Sequence, residues 1–448
     1  MTVQMVRSSI RLKSLVGFVA LASLGISGAA VAQPGDHVRI GDAELVPKVI
    51  LGSHYRTNAY LMESNEEAGV ALMLVPSAEL KLDGQDVKLD LGAGYQLRKY
   101  MSSQLSNLDR FRDGNFKIDL GLMPKSIIGF DLQENFRSSS RESEAWYSET
   151  TALITHLRND LSGAVAFHPG GALEADAGGH FSFDDYNVPA GANIDNNANY
   201  NSRLGYGPAA SFKWRFFPRT AVLLNASMDW FKWNNNLVNI QSGAGQTTTE
   251  YGSYLGLPDG TLLTVSGGLR GRFTERVAIG LVLGYNKAIY DEQTVIDDGL
   301  NEPEAAGDID VSSGFGTDST GLDNLLASAS IEYSLSETHR VVLGYDRGIE
   351  DSYFTNYVLH NYMFLRYHVL LGTRLGVGAE GGLSLEGFRG EVARDDVVVR
   401  ARLNGTYAAN EWLAVGTGVW WDRRVSADGI AAIEYDDVQV NLNLTFTY

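Results

Sequence analysis

The feature that most constrains this chain is a two-residue alternation of apolar and polar side chains, sustained from residue 43 to the last residue. In the final segment Val438, Val440, Leu442, Leu444, Phe446 and Tyr448 alternate with Gln439, Asn441, Asn443, Thr445 and Thr447. Successive side chains of a strand point to opposite faces, so one face here is apolar and the other polar. The pattern recurs at Val87–Arg98, Phe116–Leu122, Ile128–Asn135, Phe212–Phe216, Leu263–Arg272 and Val397–Leu403. A soluble sheet alternates too, but its strands average about 5–6 residues. These run 11 to 19, enough for the roughly 9–11 residues a tilted strand needs to cross hydrocarbon.

Turn chemistry divides the chain further. Tight connections are expected at Asp83-Gly84-Gln85, Pro124-Lys125, His168-Pro169-Gly170-Gly171, Pro218-Arg219, Thr274-Glu275, Ser336-Glu337, Leu371-Gly372 and Asn410-Glu411, where turn-forming residues separate alternating runs. Longer polar connections, including 101–112, 187–201, 235–260 and 291–323, fall between them. Alternating short and long connections are the signature of a transmembrane barrel with one rim of turns and one of loops. Eight hairpins, a first strand near 43–61 and a last at 433–448 give an all-β, single transmembrane antiparallel β-barrel of about 18 strands, with 16 as the lower count. Both termini are expected on the periplasmic side and the long loops outside.

Composition narrows the function classes. The chain has no cysteine, which excludes a disulfide scaffold, a thiol enzyme and cysteine-ligated zinc or iron–sulfur centres. A net charge of −18 opposes general nucleic-acid binding. The eight His residues are scattered, and neither HExxH nor GxSxG occurs, so neither enzyme activity, a cofactor nor a metal is expected. The 49 glycines suit a curved sheet whose inner wall must stay thin. Tyr55, Tyr60, Trp214, Trp230, Trp233, Tyr285, Trp412 and Trp421 stand near strand ends, as interfacial girdles require.

Residues 1–32 have the pattern of a cleaved signal peptide. Arg7, Arg11 and Lys13 precede the apolar run Leu15–Ile26, and Ala30-Val31-Ala32 supplies a small-x-small cleavage site. A short periplasmic segment, 33–42, then leads into a barrel domain of 43–448. The location implied is the outer membrane of a Gram-negative cell.

The polar faces should line a wide aqueous pore. Basic candidates are Lys213, Arg215, Arg270, Arg272, Arg366, Arg374, Arg400 and Arg402; acidic ones include Asp90, Asp119, Asp131, Asp229, Glu380 and Glu386. Phe231, Tyr362, Phe364 and Trp420 would add stacking surfaces. Cross-strand pairing of opposite charges is the competing, purely structural role for any one of these residues. The connection 291–323 holds ten carboxylates, among them Asp297, Asp298, Glu302, Glu304, Asp308 and Asp310, and no Lys, Arg or His. A solvated outer loop is the plain expectation, and divalent-cation bridging to lipopolysaccharide the functional one. Phe446 and Tyr448 would close the barrel and be read by its insertion machinery.

The segment Leu45–Asn58 (LVPKVILGSHYRTN) resembles the first strand of the beta-barrel porin 2 family. Residues Asn159–Tyr186, with His168-Pro169-Gly170-Gly171 and Phe181-Ser182-Phe183-Asp184-Asp185-Tyr186, are similar to that family as well. The resemblance implies a passage for polysaccharide export across the outer membrane, fed by a periplasmic polysaccharide export protein, with no catalytic residues. Two alternatives stay open: a general diffusion porin for small solutes, marked by a loop folded inward, and a surface structural or adhesion barrel.

Overall fold

The computed structural model describes residues 38–61, 66–142, 153–187, 202–217, 219–233, 259–290, 323–350, 357–389, 394–427 and 434–448. The signal-peptide region, with Ala30 and Ala32, lies outside them, as does the acidic connection up to residue 322. A three-residue strand, β1 (Val38–Ile40), folds back on the start of β2 (Ala43–Arg56). Then follow β3 (Gly69–Asp83), β4 (Val87–Tyr100), β5 (Arg110–Leu122), β6 (Ile128–Glu142), β7 (Leu153–Phe167) and β8 (Leu173–Asn187). The chain continues through β9 (Arg203–Phe217), β10 (Thr220–Trp233), β11 (Gly260–Arg272), β12 (Val277–Tyr290), β13 (Asp323–Ser334) and β14 (His339–Glu350). It ends with β15 (Tyr357–Leu371), β16 (Leu375–Arg389), β17 (Arg394–Ala408), β18 (Leu413–Ser426) and β19 (Tyr435–Thr447).

From β2 onward every strand is antiparallel to the next, and β19 returns to β2, with Gln439 opposite Arg56 through to Thr447 opposite Lys48. Eighteen strands of 12–15 residues therefore form a closed ring. Closure satisfies each strand's N–H and C=O groups on both sides and removes the sheet edge. All eight expected tight turns occur, and they share one rim with the start of β2 and the end of β19. The longer connections share the other.

The two-residue period becomes outside and inside. Large apolar side chains such as Leu72 (56% exposed), Leu283 (59%) and Leu343 (56%) stand on the convex face, where lipid rather than a protein core would cover them. The opposite face carries the charged and polar residues. Several of these are buried against one another, including Asp437, Asp396 and Ser384.

The seam deviates slightly from the expected strand bounds: β2 stops at Arg56 and β19 begins at Tyr435. Asp437 explains where β2 ends. Its carboxylate, fully buried, accepts from Arg56 Nε and Nη2 at 3.0 and 2.8 Å, from the Asn58 backbone N–H at 3.1 Å and from Gln439 Nε2 at 2.8 Å. Thr57 Oγ1 accepts the Val438 N–H at 2.8 Å. The ladder gains one more bond, Thr57 N–H to Val438 O at 3.0 Å, and then gives way to these side-chain contacts across the seam. At the other end of the seam Tyr448 N–H donates to Pro47 O at 3.0 Å, and Phe446 stacks on Trp412 with ring centres 6.3 Å apart.

Replacing one partner of a buried ion pair typically costs about 3–5 kcal/mol. Asp437→Ala is expected to lower the unfolding free energy of the refolded barrel by that order, seen as a lower urea midpoint, and an unchanged midpoint would remove the seam role assigned to this carboxylate.

Candidate functional site

The register assembles the inner face from rungs, each contributed by several strands. One rung runs Arg366–Glu380–Arg402–Trp420–Gln439–Arg56 across β15 to β19 and β2. The next toward the long-loop rim runs Phe364–Gly382–Arg400–Asp422–Asp437. Above it lie Tyr362–Ser384–Val398–Arg424–Tyr435, then His360–Glu386–Asp396–Ser426. Residues 10 to 30 positions apart in sequence, and 383 apart at the seam, thus become direct neighbours, because antiparallel pairing converts chain order into angular position around the barrel.

Within this quadrant cations are matched to anions and laid over rings. Glu380 accepts from Arg366 Nε at 2.6 Å and from the Tyr362 hydroxyl at 2.5 Å. Glu386 faces Arg424 at 2.9 Å and Arg400 at 3.5 Å, while Arg394 pairs with Asp396 at 3.0 Å. Tyr362 and Phe364 stack with ring centres 5.3 Å apart, and the Arg366 guanidinium lies 4.0 Å from the Phe364 centroid. A guanidinium at that distance is attracted by the ring's negative face. Both rings lie flat against the wall: Phe364 occupies the space a Cβ on Gly344 would need, and Tyr362 that of Gly382. The glycines there are berths for aromatic rings.

The remaining candidates are spread around the barrel. Lys213 and Arg215 both pair with Glu174, the first at 2.7 Å. Asp229 pairs with His180, and Phe231 shares its inner face two residues on, 8% exposed. Asp90 and Asp119 flank Lys117, and Asp131 shares their inner face, opposite Gly121. Arg270 and Arg272 stand opposite small residues, Gly280 and Ala278. Among the described residues no ion pair or side-chain hydrogen bond is found for Arg270 or Arg272, so they present open cationic positions to the lumen, whereas Arg402 faces Glu380 across the β16–β17 pair. Arg374 differs from expectation. It sits in the tight turn 372–374, where Nη1 lies 3.5 Å from Ala409 O, so it belongs to the rim and not to the wall.

One structural element has no counterpart in the period-two reading. The connection after β4 turns inward through a single 3₁₀ turn, Ser106–Leu108. Leu105 and Leu108 bury themselves with Ala59, Ala71 and Tyr100. Ala71 and Tyr100 are registered opposite each other on the inner face, so the segment packs on the lumen side of the wall. Tyr60, expected in a lipid girdle, instead donates its hydroxyl to Gln104 O at 2.8 Å and to Asn107 Oδ1 at 2.9 Å. Burial holds its pKa above the usual value. Asp109 Oδ1 accepts the Tyr100 N–H at 2.7 Å. Sequence reading placed 101–112 among the outer loops, and the only cue to its inward fold was the pair of leucines in an otherwise polar stretch.

An even-stranded, single-chain ring with an apolar outer wall and a charged inner one is the architecture of outer-membrane barrels. The chain is a porin-like β-barrel of the outer membrane. No family model matches it and no curated protein matches it, so the specific resemblance to the beta-barrel porin 2 family gains no support. Solved structures that resemble it include Pseudomonas aeruginosa OccK2 (OpdF), with TM-score 0.48, 11% identity and coverage of 91% of this chain and 97% of that one. Acinetobacter baumannii OccAB4 has TM-score 0.47, 10% identity and coverage of 93% and 100%. The outer membrane protein OpdK of P. aeruginosa has TM-score 0.46, 11% identity and coverage of 90% and 99%.

The inward segment can be displaced from the inner face on which it packs. A side chain at Gly69 would enter the space of Leu105 and reach within about 3.2 Å of Tyr100. Gly69→Val is expected to raise single-channel conductance in planar bilayers, whereas a conductance equal to the parent would show that 101–109 does not narrow the mouth.

Proposed function

We propose that the barrel is a passive outer-membrane channel for small polar solutes. Rings of 16–18 strands enclose an aqueous passage, and here the wall offers paired and open charges to a hydrated solute. The observation that carries this reading is the segment 101–109 packed on the inner wall. Partial closure of the mouth suits discrimination by size among small molecules. A polymer conduit gains nothing from it.

Polysaccharide export, implied by the sequence resemblance, is the less favoured reading. It draws only on the flat Tyr362–Phe364 surface, a stacking platform that would serve a sugar ring whether free or within a polymer. Transport measurements separate the two. Deleting the gene is expected to slow uptake of small polar solutes and leave surface polymer normal. Polymer accumulating in the periplasm with uptake intact would overturn the channel reading.

The open and ring-stacked arginines should set ion preference. The double variant Arg400→Gln, Arg402→Gln removes two positive charges from adjacent rungs. It is expected to shift reversal potentials under a KCl gradient toward cation selectivity by several-fold in permeability ratio. An unaltered reversal potential would mean that solute does not pass this quadrant.

A further inference from the structure

One sector of the inner wall has a chemistry that passive conduction does not require. On β16 to β19 the rung Arg366–Glu380–Arg402–Trp420–Gln439–Arg56 is the last charged one before the tight turns. Beyond it runs Gly378–Asn404–Gly418–Asn441–His54, and then Gly376–Thr406–Gly416–Asn443–Gly52. From there to their turn-side ends these four strands point no Lys, Arg, Asp or Glu inward. Other sectors keep charge at the same ends, with Glu174 and Lys213 on β8 and β9, Arg270 on β11, and Glu332 and Arg340 on β13 and β14. The sector beside the seam is thus a neutral window in a charged wall.

Amides laid flat take the place of charge in this window. The Asn404 side chain occupies the space that a Cβ on Gly378 would need, and Asn443 does the same at Gly52. Asn441 Oδ1 and Nδ2 lie 3.1 and 3.2 Å from the Cβ position of Gly418. Each glycine stands directly opposite its asparagine on the neighbouring strand. Among the described residues no side-chain hydrogen bond is found for Asn404 or Asn441. Trp420 borders the window on the long-loop side. Its Nε1 lies 3.4 Å from the same Gly418 position, and its ring centre is 6.4 Å from that of His54.

A primary amide offers two donors and an acceptor without charge, and a hydroxyl both donates and accepts. A solute rich in hydroxyls can therefore pair with several amides at once, while an apolar ring face packs on the indole. An ionised solute finds no counter-charge there. We propose that this window is a binding subsite for a neutral polyhydroxylated solute, a mono- or oligosaccharide. Asn404 and Asn441 pair its hydroxyls, and Trp420 packs against a sugar ring. The inference rests on the small-solute channel reading and names the solute class.

The test is calorimetric titration of the full folded barrel in uncharged detergent. Raffinose is the probe, and tetraethylene glycol the neutral control with ether oxygens and few hydroxyls. Raffinose is expected to bind with an affinity that survives a tenfold rise in KCl, and tetraethylene glycol not to bind. In the double variant Asn404→Ala, Asn441→Ala the raffinose Kd should rise about tenfold, from the loss of the amide hydrogen bonds. Trp420→Leu should weaken binding as well. Asn225→Ala removes an inner-wall amide on β10, outside the window, and should leave Kd at the parent value. No raffinose binding, equal binding of tetraethylene glycol, or an unimpaired Kd in the double variant would overturn the proposal. Binding in detergent is read without any current across a bilayer. A barrel that conducts but does not bind raffinose would therefore refute the window alone, and one that binds raffinose but carries no current would refute the channel reading alone.

Discussion

Every backbone polar group of a strand in hydrocarbon must find its partner within the protein, and that requirement governs this molecule. It demands a ring, and a ring demands a seam. Here the seam joins strands from opposite ends of the chain, so no short turn holds them together. Nine registered pairs span it, and Asp437 adds side-chain bonds to Arg56 and to the backbone beyond it. A carboxylate can be buried at this position only because several donors converge on it. The side-chain chemistry of the mouth is thus coupled to the closure of the backbone.

The same economy shapes the inner wall. Its charges mostly neutralise one another across neighbouring strands, as Lys213 and Arg215 do with Glu174 and Arg366 does with Glu380. The inner wall is therefore polar but locally balanced, punctuated by guanidinium groups such as those of Arg270 and Arg272 that have no ion pair among the described residues. Placing Phe364 and Tyr362 over glycines keeps aromatic surface available without obstructing the bore. The outer wall follows a different rule: among the described residues its charges lie toward the long-loop ends of the strands, Glu134 midway along β6 excepted.

Strand number, turn positions and the inner or outer side of almost every residue were legible in the sequence, because a period of two and a tight turn are both local signals. Lys213, Arg270, Arg400 and Trp420 could be assigned to one face from their immediate neighbours alone. What the sequence could not convey were contacts made across the barrel. Nothing local to Asp437 announces Arg56 or Asn58, nearly the whole chain away. Tyr60 looked like a girdle residue because it follows a strand, yet its hydroxyl serves a segment more than forty residues later. Leu105 and Leu108 sit in a stretch whose composition is that of a surface loop, and only the packing on Ala71 and Tyr100 turns it inward. Arg374 has the spacing of a wall residue but falls on the last position of a turn.

The footing of that inward segment has a temporal consequence. Its apolar cluster includes Ala59, and the neighbouring Asn58 is fastened to Asp437 on the final strand. The inward packing can therefore take its finished form only after the last strand has met the first. A barrel halted before that meeting would lack the fastened footing of this segment, so its placement reports on completed closure.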